Sequence, residues 1–245
     1  MAVSTKRDWP IVGGLIALSL IPVIAGMVRL TMLAGHPPIT TDNARFVTMP
    51  LPVILHILGA TIYCVLGALQ FAPRLRARFP RWHRVSGRLL VLAGLTAALS
   101  GLWMAQFYAI VPADNWLLHC FRLAAGTGMA ASLILGFLAI RRGDVRTHQD
   151  WMRRAYAIGL GAGTQAVTQL PALLLFGPPD AMTLAALMGG GWAINLAVAE
   201  WLIRRRSAKP ADTMFPGSKP RIRPASAAGR ASSPSRAFPS RPSRR

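Results

Sequence analysis

The apolar positions of this chain come in long unbroken blocks, not at the short periods of an amphipathic helix or a half-buried strand. Six blocks, at about 10–33, 51–72, 85–108, 115–140, 151–176 and 181–203, each hold the roughly 20 residues needed to cross hydrocarbon. Inside a bilayer every backbone amide must bond within its own segment, so the blocks predict six transmembrane α-helices and an all-α fold. Proline and glycine mark the joints: Gly35 to Pro38, Pro50 and Pro52, Pro73, Pro80, and Gly177 to Pro179. The first block is longer than the apolar part of a signal peptide and lacks a convincing small-residue cleavage site. It reads as a retained first helix.

The polar blocks between them are unequal. Arg74, Arg76, Arg78, Arg81 and Arg84 separate spans two and three, and Arg141, Arg142 and Arg146 separate spans four and five, with Arg153 and Arg154 just beyond. The loops after spans three and five carry no lysine or arginine. By the bias of positive loops toward the cytoplasm, both termini are expected there, with residues 1–206 forming the membrane domain. Residues 207–245 hold two lysines and seven arginines against one aspartate, are rich in Ser, Pro and Ala, and read as a disordered cytoplasmic tail. Such a tail and the basic loops attract anionic lipid head groups, although a solvated tail without a specific partner explains the same composition.

Composition agrees with this pattern. The 245 residues are 53% hydrophobic and 15% charged, where a soluble domain carries about 25% charge. The net charge of +20 does not indicate a nucleic-acid binder, because the arginines crowd loops and tail and form no stripe on a folded face. Cys64 and Cys120 both lie inside apolar blocks, so no disulfide framework is implied. There is no CxxCH, no HExxH, no phosphate-binding glycine loop, no dinucleotide fingerprint and no Ser/His/Asp set, which removes hydrolase and nucleotide-driven classes.

Candidate chemistry then rests on histidine. His36 falls in the first loop and is set aside as solvent-facing, but His56, His83, His119 and His148 each stand near the start of one of four consecutive spans, two to five. Because those spans alternate direction, His56 and His119 share one depth, and His83 and His148 share the other. The intervals of 27 and 29 residues make the second hairpin resemble a repeat of the first. In a four-helix core made of spans two to five, facing imidazoles can clamp an iron, and a haem is apolar enough to sit between helices. Arg122, three residues after His119 and inside an apolar span, suits a propionate on one side; Arg84, Arg88, Arg153 and Arg154 suit the other. Gly59, Gly67, Gly87, Gly126, Gly128, Gly159 and Gly163 thin the helices, either for a flat macrocycle or for close helix packing. The competing reading is that interfacial histidines are inexpensive and incidental, and His83 and His148 lie slightly outside the apolar blocks. Gln165 and Gln169 share a face and suit helix-to-helix bonds, Glu200 suits an ion pair with Arg204, and Asp150 suits the N-terminus of the fifth helix.

The strings HILGATIYCVLGALQF, WHRVSGRLL and THQDWMRRAYAIGLGAGTQ resemble the recurring motifs of a family of predicted bacterial membrane proteins, domain of unknown function 2306, over roughly residues 50–205. That resemblance implies a multi-pass protein of the bacterial inner membrane and no named activity. The layout of one histidine on each of helices two to five is similar to the cytochrome b-561 family, diheme transmembrane carriers that oxidise ascorbate or a similar donor. The likeness implies His56 and His119 on one haem b and His83 and His148 on a second. The leading expectation is therefore a b-type, bis-histidine electron carrier served by a small redox donor or quinone. A small transporter or channel without cofactor, and a scaffold whose basic tail recruits lipid or protein, stand as alternatives.

Overall fold

The computed structural model describes residues 8–110 and 115–207; of the tail expected from residue 207 onward, Ser207 is described and residues 208–245 lie outside. The chain divides into Met1–Ser207 and Ala208–Arg245. Among the described residues every regular element is helical: α1 (Asp8–Ala34), α2 (Ala44–Thr48), α3 (Pro50–Leu69), α4 (Pro73–Arg78), α5 (Pro80–Phe107), α6 (Trp116–Arg141), α7 (Val145–Gly159), α8 (Gly161–Phe176) and α9 (Ala181–Ser207). Six spans are long and apolar enough to cross a membrane, with α7 and α8 together making the fifth.

Two spans begin earlier than their apolar blocks suggest. Proline at the first position of α5 fixes a helical φ where no amide partner is needed, so the helix starts at Pro80 instead of residue 85. The fifth span starts at Val145 instead of 151, because the Asp144 carboxylate accepts from Thr147 N at 3.0 Å and caps it. His83 and His148 therefore stand in the first turns of helices, and the helix N-terminus expected at Asp150 belongs to Asp144.

In the bundle α3 packs on α5, α5 on α6, α6 on α7 and α7 back on α3, while α1 covers α3 and α8, and α9 covers α6, α7 and α8. The small residues mostly serve these approaches. A Cβ at Gly59 would lie 2.8 Å from the Ala93 carbonyl oxygen, so α3 and α5 meet backbone to backbone. The Tyr63 ring fills the space left by Gly94 and Gly159, and the Tyr156 ring fills that at Gly67. Gly163 sits against the carbonyl of Leu18, whose usual amide partner four residues on is missing because that residue is Pro22. Gly87 serves none, with nothing within 4 Å, and the same holds for Gly13, Gly14 and Gly190.

The fifth span is interrupted at Leu160, where glycines 159, 161 and 163 cluster. Exposed carbonyls at this depth need partners from outside their helix. Asn195 Nδ2 donates to Ala157 O at 3.0 Å and Cys64 Sγ to Gly159 O at 3.4 Å; Thr164 Oγ1 in turn donates to Asn195 Oδ1 at 2.7 Å. Nearer the basic loops, Arg154 grips Glu200 with two N–H groups, with the guanidinium stacked 4.7 Å above Trp151. Glu200 is thus tied across to α7, and the ion pair expected with neighbouring Arg204 is replaced by an interhelical one.

Gly59→Val is expected to force α3 from α5 and destabilise the protein by about 1–3 kcal/mol, the usual result of overpacking. Gly87→Ala, with open space around it, should leave the melting temperature of the detergent-solubilised protein unchanged. Equal losses in a melting assay would show that the crossing does not depend on the missing side chain. A second expectation concerns pH. The Thr147 hydroxyl and backbone amide hold the Asp144 carboxyl below its ordinary value. The cap is therefore complete above the unfolded-state pKa and is lost as pH falls through the folded one. Hydrogen exchange at the Thr147 amide should speed up on acidification in wild type, and less so in Asp144→Asn.

A candidate cofactor cavity around His56

His56 stands on the second turn of α3, on the side facing α5. Its Nδ1 lies 2.8 Å from the carbonyl oxygen of Ala97. A carbonyl only accepts, so Nδ1 carries the proton and Nε2 keeps its lone pair. A Cβ on Gly101, one turn beyond Ala97, would come within 3.2 Å of His56 Cε1, so that glycine provides the seat for the ring. An imidazole locked through Nδ1 to a backbone carbonyl is the usual support of a metal-ligating histidine.

The ring lines a cavity of about 340 Å³ walled by α3, α5, α6, the α7–α8 joint and α9, and closed at one end by α2. Its wall is mostly alanine, glycine and methionine, with Tyr63 and Trp192 deeper in. Besides those two aromatics, the residues with polar groups are few: Arg45, Arg122, Tyr108, Cys64, Gln165 and His56 itself. Gln165, only 6% exposed, donates from Nε2 to Met188 O at 3.0 Å and so ties α8 to α9. A smaller cavity of about 100 Å³ adjoins it between α1, α3 and the α7–α8 joint, sharing His56, Ala60, Cys64, Gly159 and Ala162.

An aromatic cluster shapes the end at α2. Phe46 meets Tyr108 edge to face at 5.6 Å, with the guanidiniums of Arg29 and Arg45 over its ring at 4.7 and 4.8 Å. Tyr108 packs edge-on to Trp103 at 5.7 Å and donates its hydroxyl to Met49 O at 2.8 Å. Burial pushes the Tyr108 phenol up, so it stays a donor across the ordinary pH range.

Of the residues singled out from sequence, His56 and Arg122 line this cavity together. His119 is half-buried and outside the lining, but helix geometry puts it on the stripe of α6 that Arg122 and Gly126 occupy, one turn nearer the helix start. His83 and His148 lie at the opposite end, close enough for the charge of one to act on the other. His148 repeats the arrangement of His56, with Nδ1 2.8 Å from Gly136 O, whereas His83 Nδ1 is shielded and has no hydrogen-bond partner. Arg88 is exposed on α5 and takes no part in either cavity. His36 is exposed, with a φ of 49°. Arg45, Phe46 and Tyr108 were not anticipated: Arg45 and Phe46 sit between apolar blocks and Tyr108 is the last residue of one, where no periodicity points to them. Among the described residues no three His, Cys, Asp or Glu side chains gather as they would around a metal ion held by protein alone.

With this geometry in view, comparison with known families is informative. Residues 53–203 match the profile of domain of unknown function 2306, described as a predicted membrane protein. The chain belongs to this family. The match runs from the start of α3 to the last turns of α9, so the cavity walls other than α2 fall within the family region. No curated protein and no solved structure shows a significant match.

Cys64 lines the cavity and Cys120 is exposed on the outer surface of α6, so thiol chemistry can report on the cavity end. In a Cys120→Ser background, Phe46→Ala should speed alkylation of Cys64 by N-ethylmaleimide about tenfold or more by removing the ring that closes the cavity. An unchanged rate would mean that α2 does not control access.

Proposed function

We propose that this membrane protein is an electron carrier of the bacterial inner membrane whose main cavity would take a b-type haem, with Nε2 of His56 available to hold its iron. The observation that carries the reading is the locked imidazole: Nδ1 committed to Ala97 O, Nε2 left with its lone pair, in an apolar slot walled by small residues. A haem would bring most of its iron's ligands itself, so His56 and one further side chain are all that the protein would need to supply. When bound, it would supply a reversible one-electron couple. Arg45 and Arg122 suit two carboxylates at the α2 end, and His119, one turn from Arg122 on the same stripe, is the second ligand in this reading.

The chain's own residues set the conditions of such a site. The Nδ1–H bond to Ala97 raises the basicity of Nε2 and holds the ring plane. The alanine, glycine and methionine wall keeps water away, which tunes a redox potential through the local dielectric. A second reading, a small transporter, draws support from the interruption at Leu160, since broken spans at mid-depth commonly form substrate sites and Gln165 lines the cavity just beyond.

Visible spectroscopy separates the two. Protein purified after expression with a haem precursor is expected to show a Soret band. His56→Ala should lose it, His119→Ala should retain a band of five-coordinate, high-spin type, and His36→Ala should match wild type. A folded protein with no Soret band overturns the carrier reading and leaves the transporter.

A further inference from the structure

The break at Leu160 decides where the bundle is hollow. Before it, α7 packs on α3, α6 and α9; beyond it, α8 packs on α1 and α9. The core space that α7 fills at one end is thus left open at the other, and the main cavity occupies it. Two side chains of its wall, one on α3 and one on α8, hold oxygens that the protein leaves unused. Gln165, 6% exposed, gives its Nε2 to Met188 O at 3.0 Å, and a Cβ on Gly191 would lie 2.7 Å from its Cγ. The amide is therefore held in one orientation, and its Oε1 accepts no hydrogen bond among the described residues. Tyr63, 4% exposed, is fixed in a similar way: its ring lies between Gly94 and Gly159, where an added Cβ would be 2.8 Å from it on either side. Its neighbour Tyr156 gives its hydroxyl to Cys64 O, whereas the Tyr63 hydroxyl has no partner among the described residues. Neither oxygen is sealed in protein, and the main cavity is the open space that both residues line.

An unpartnered oxygen in apolar surroundings has lost the hydrogen bonds that water gave it, and lipid supplies no replacement. The missing partner therefore belongs to a ligand, and the wall states its chemistry. An amide oxygen only accepts, so the ligand presents a donor to Gln165; a phenol donates or accepts, so Tyr63 sets no further limit. Gly159 and Ala162, with Met129 and Trp192, complete a stretch of wall that carries no charge, and the thioether and indole pack well against a flat ring. From Gly159, against which the Tyr63 ring lies, to Gln165 is six residues, a helical rise of about 9 Å. A six-membered ring with hydroxyls at opposite corners and a hydrogen bond at each end is of comparable length. The smaller cavity, which shares Ala60 and Cys64 with this one and lies against α1, leaves room for the start of a lipid tail.

We propose that this stretch of the main cavity binds the head group of a quinol, with one hydroxyl donating to Gln165 Oε1 and the other bonded to the hydroxyl of Tyr63. Neither contact uses His56 Nε2 or any haem. Only the quinol's role as the reductant rests on the carrier reading above.

The full chain in nanodiscs, kept anaerobic, is equilibrated with tritiated decylubiquinol or decylubiquinone, and empty nanodiscs give the partition background. Saturable binding is expected, with the quinol held about fivefold tighter than the quinone, which has no donor for Gln165. Gln165→Leu should weaken quinol binding about fivefold and remove that preference. Tyr63→Phe, which loses only the hydroxyl, should weaken binding of both forms. Arg88→Gln, outside both cavities, should match wild type, and circular dichroism confirms that each variant is folded. No saturable binding, equal affinity for the two redox forms, or wild-type affinity in either cavity variant overturns the site. A visible spectrum of the same samples keeps the two readings apart. Quinol binding without a Soret band leaves the site standing and removes the carrier; a Soret band without quinol binding does the reverse.

Discussion

The close approach of α3 to α5 at Gly59 is the contact on which the rest of the bundle depends. Without a side chain there, the two backbones come near enough for a ring on α3 to reach a carbonyl on α5, and His56 does so at Ala97. The same crossing places Tyr63 against Gly94, and that ring then reaches Gly159 at the joint of the fifth span. Lipid offers no hydrophobic reason for helices to associate, so contact area between small residues must supply it. A larger residue at position 59 would move the imidazole off its acceptor and the tyrosine off its glycines together.

The second constraint is the need to satisfy backbone in hydrocarbon. The interruption at Leu160 would be costly in an isolated span, and here its carbonyls are met by Asn195 and Cys64 from α9 and α3. Tyr156 closes the circuit by donating its hydroxyl to the carbonyl of Cys64 at 2.7 Å. Three helices are thereby joined by hydrogen bonds at the floor of the cavity, while its walls stay apolar. Polar residues inside the spans are spent on architecture at the floor and are left facing the cavity at the α2 end, where Arg45, Arg122 and Tyr108 stand.

How much of this was legible in the sequence follows from the range of each interaction. The six spans were readable because hydrophobic length is a local property. Helix starts were misplaced at Pro80 and Val145 because proline and a capping aspartate begin a helix in polar sequence, before the apolar block opens. Glu200 was read with Arg204, four residues away, but its partner Arg154 is 46 residues away and reachable only once α7 lies on α9. His56 was found from the recurrence of one histidine near the start of each of four consecutive spans and Arg122 from the expense of a charge in an apolar span, signals that Arg45 and Tyr108 do not give. The glycines were noticed, and packing rather than an opening for a ligand explains Gly59, Gly67, Gly126 and Gly163.

The two ends of the bundle therefore differ in kind, although both carry histidines at matched depth. His56 and His148 share one device, an Nδ1 proton given to a carbonyl of a neighbouring helix, which frees Nε2 in both. Their surroundings separate them. Around His56 the wall is mostly apolar, and the cations Arg45 and Arg122 are among its few polar groups. At the other end, His83 Nδ1 is shielded without a hydrogen-bond partner, and charged groups, Arg76, Arg84 and His148, act on that ring. The repeat of histidines in the sequence is therefore not matched by a repeat of their surroundings.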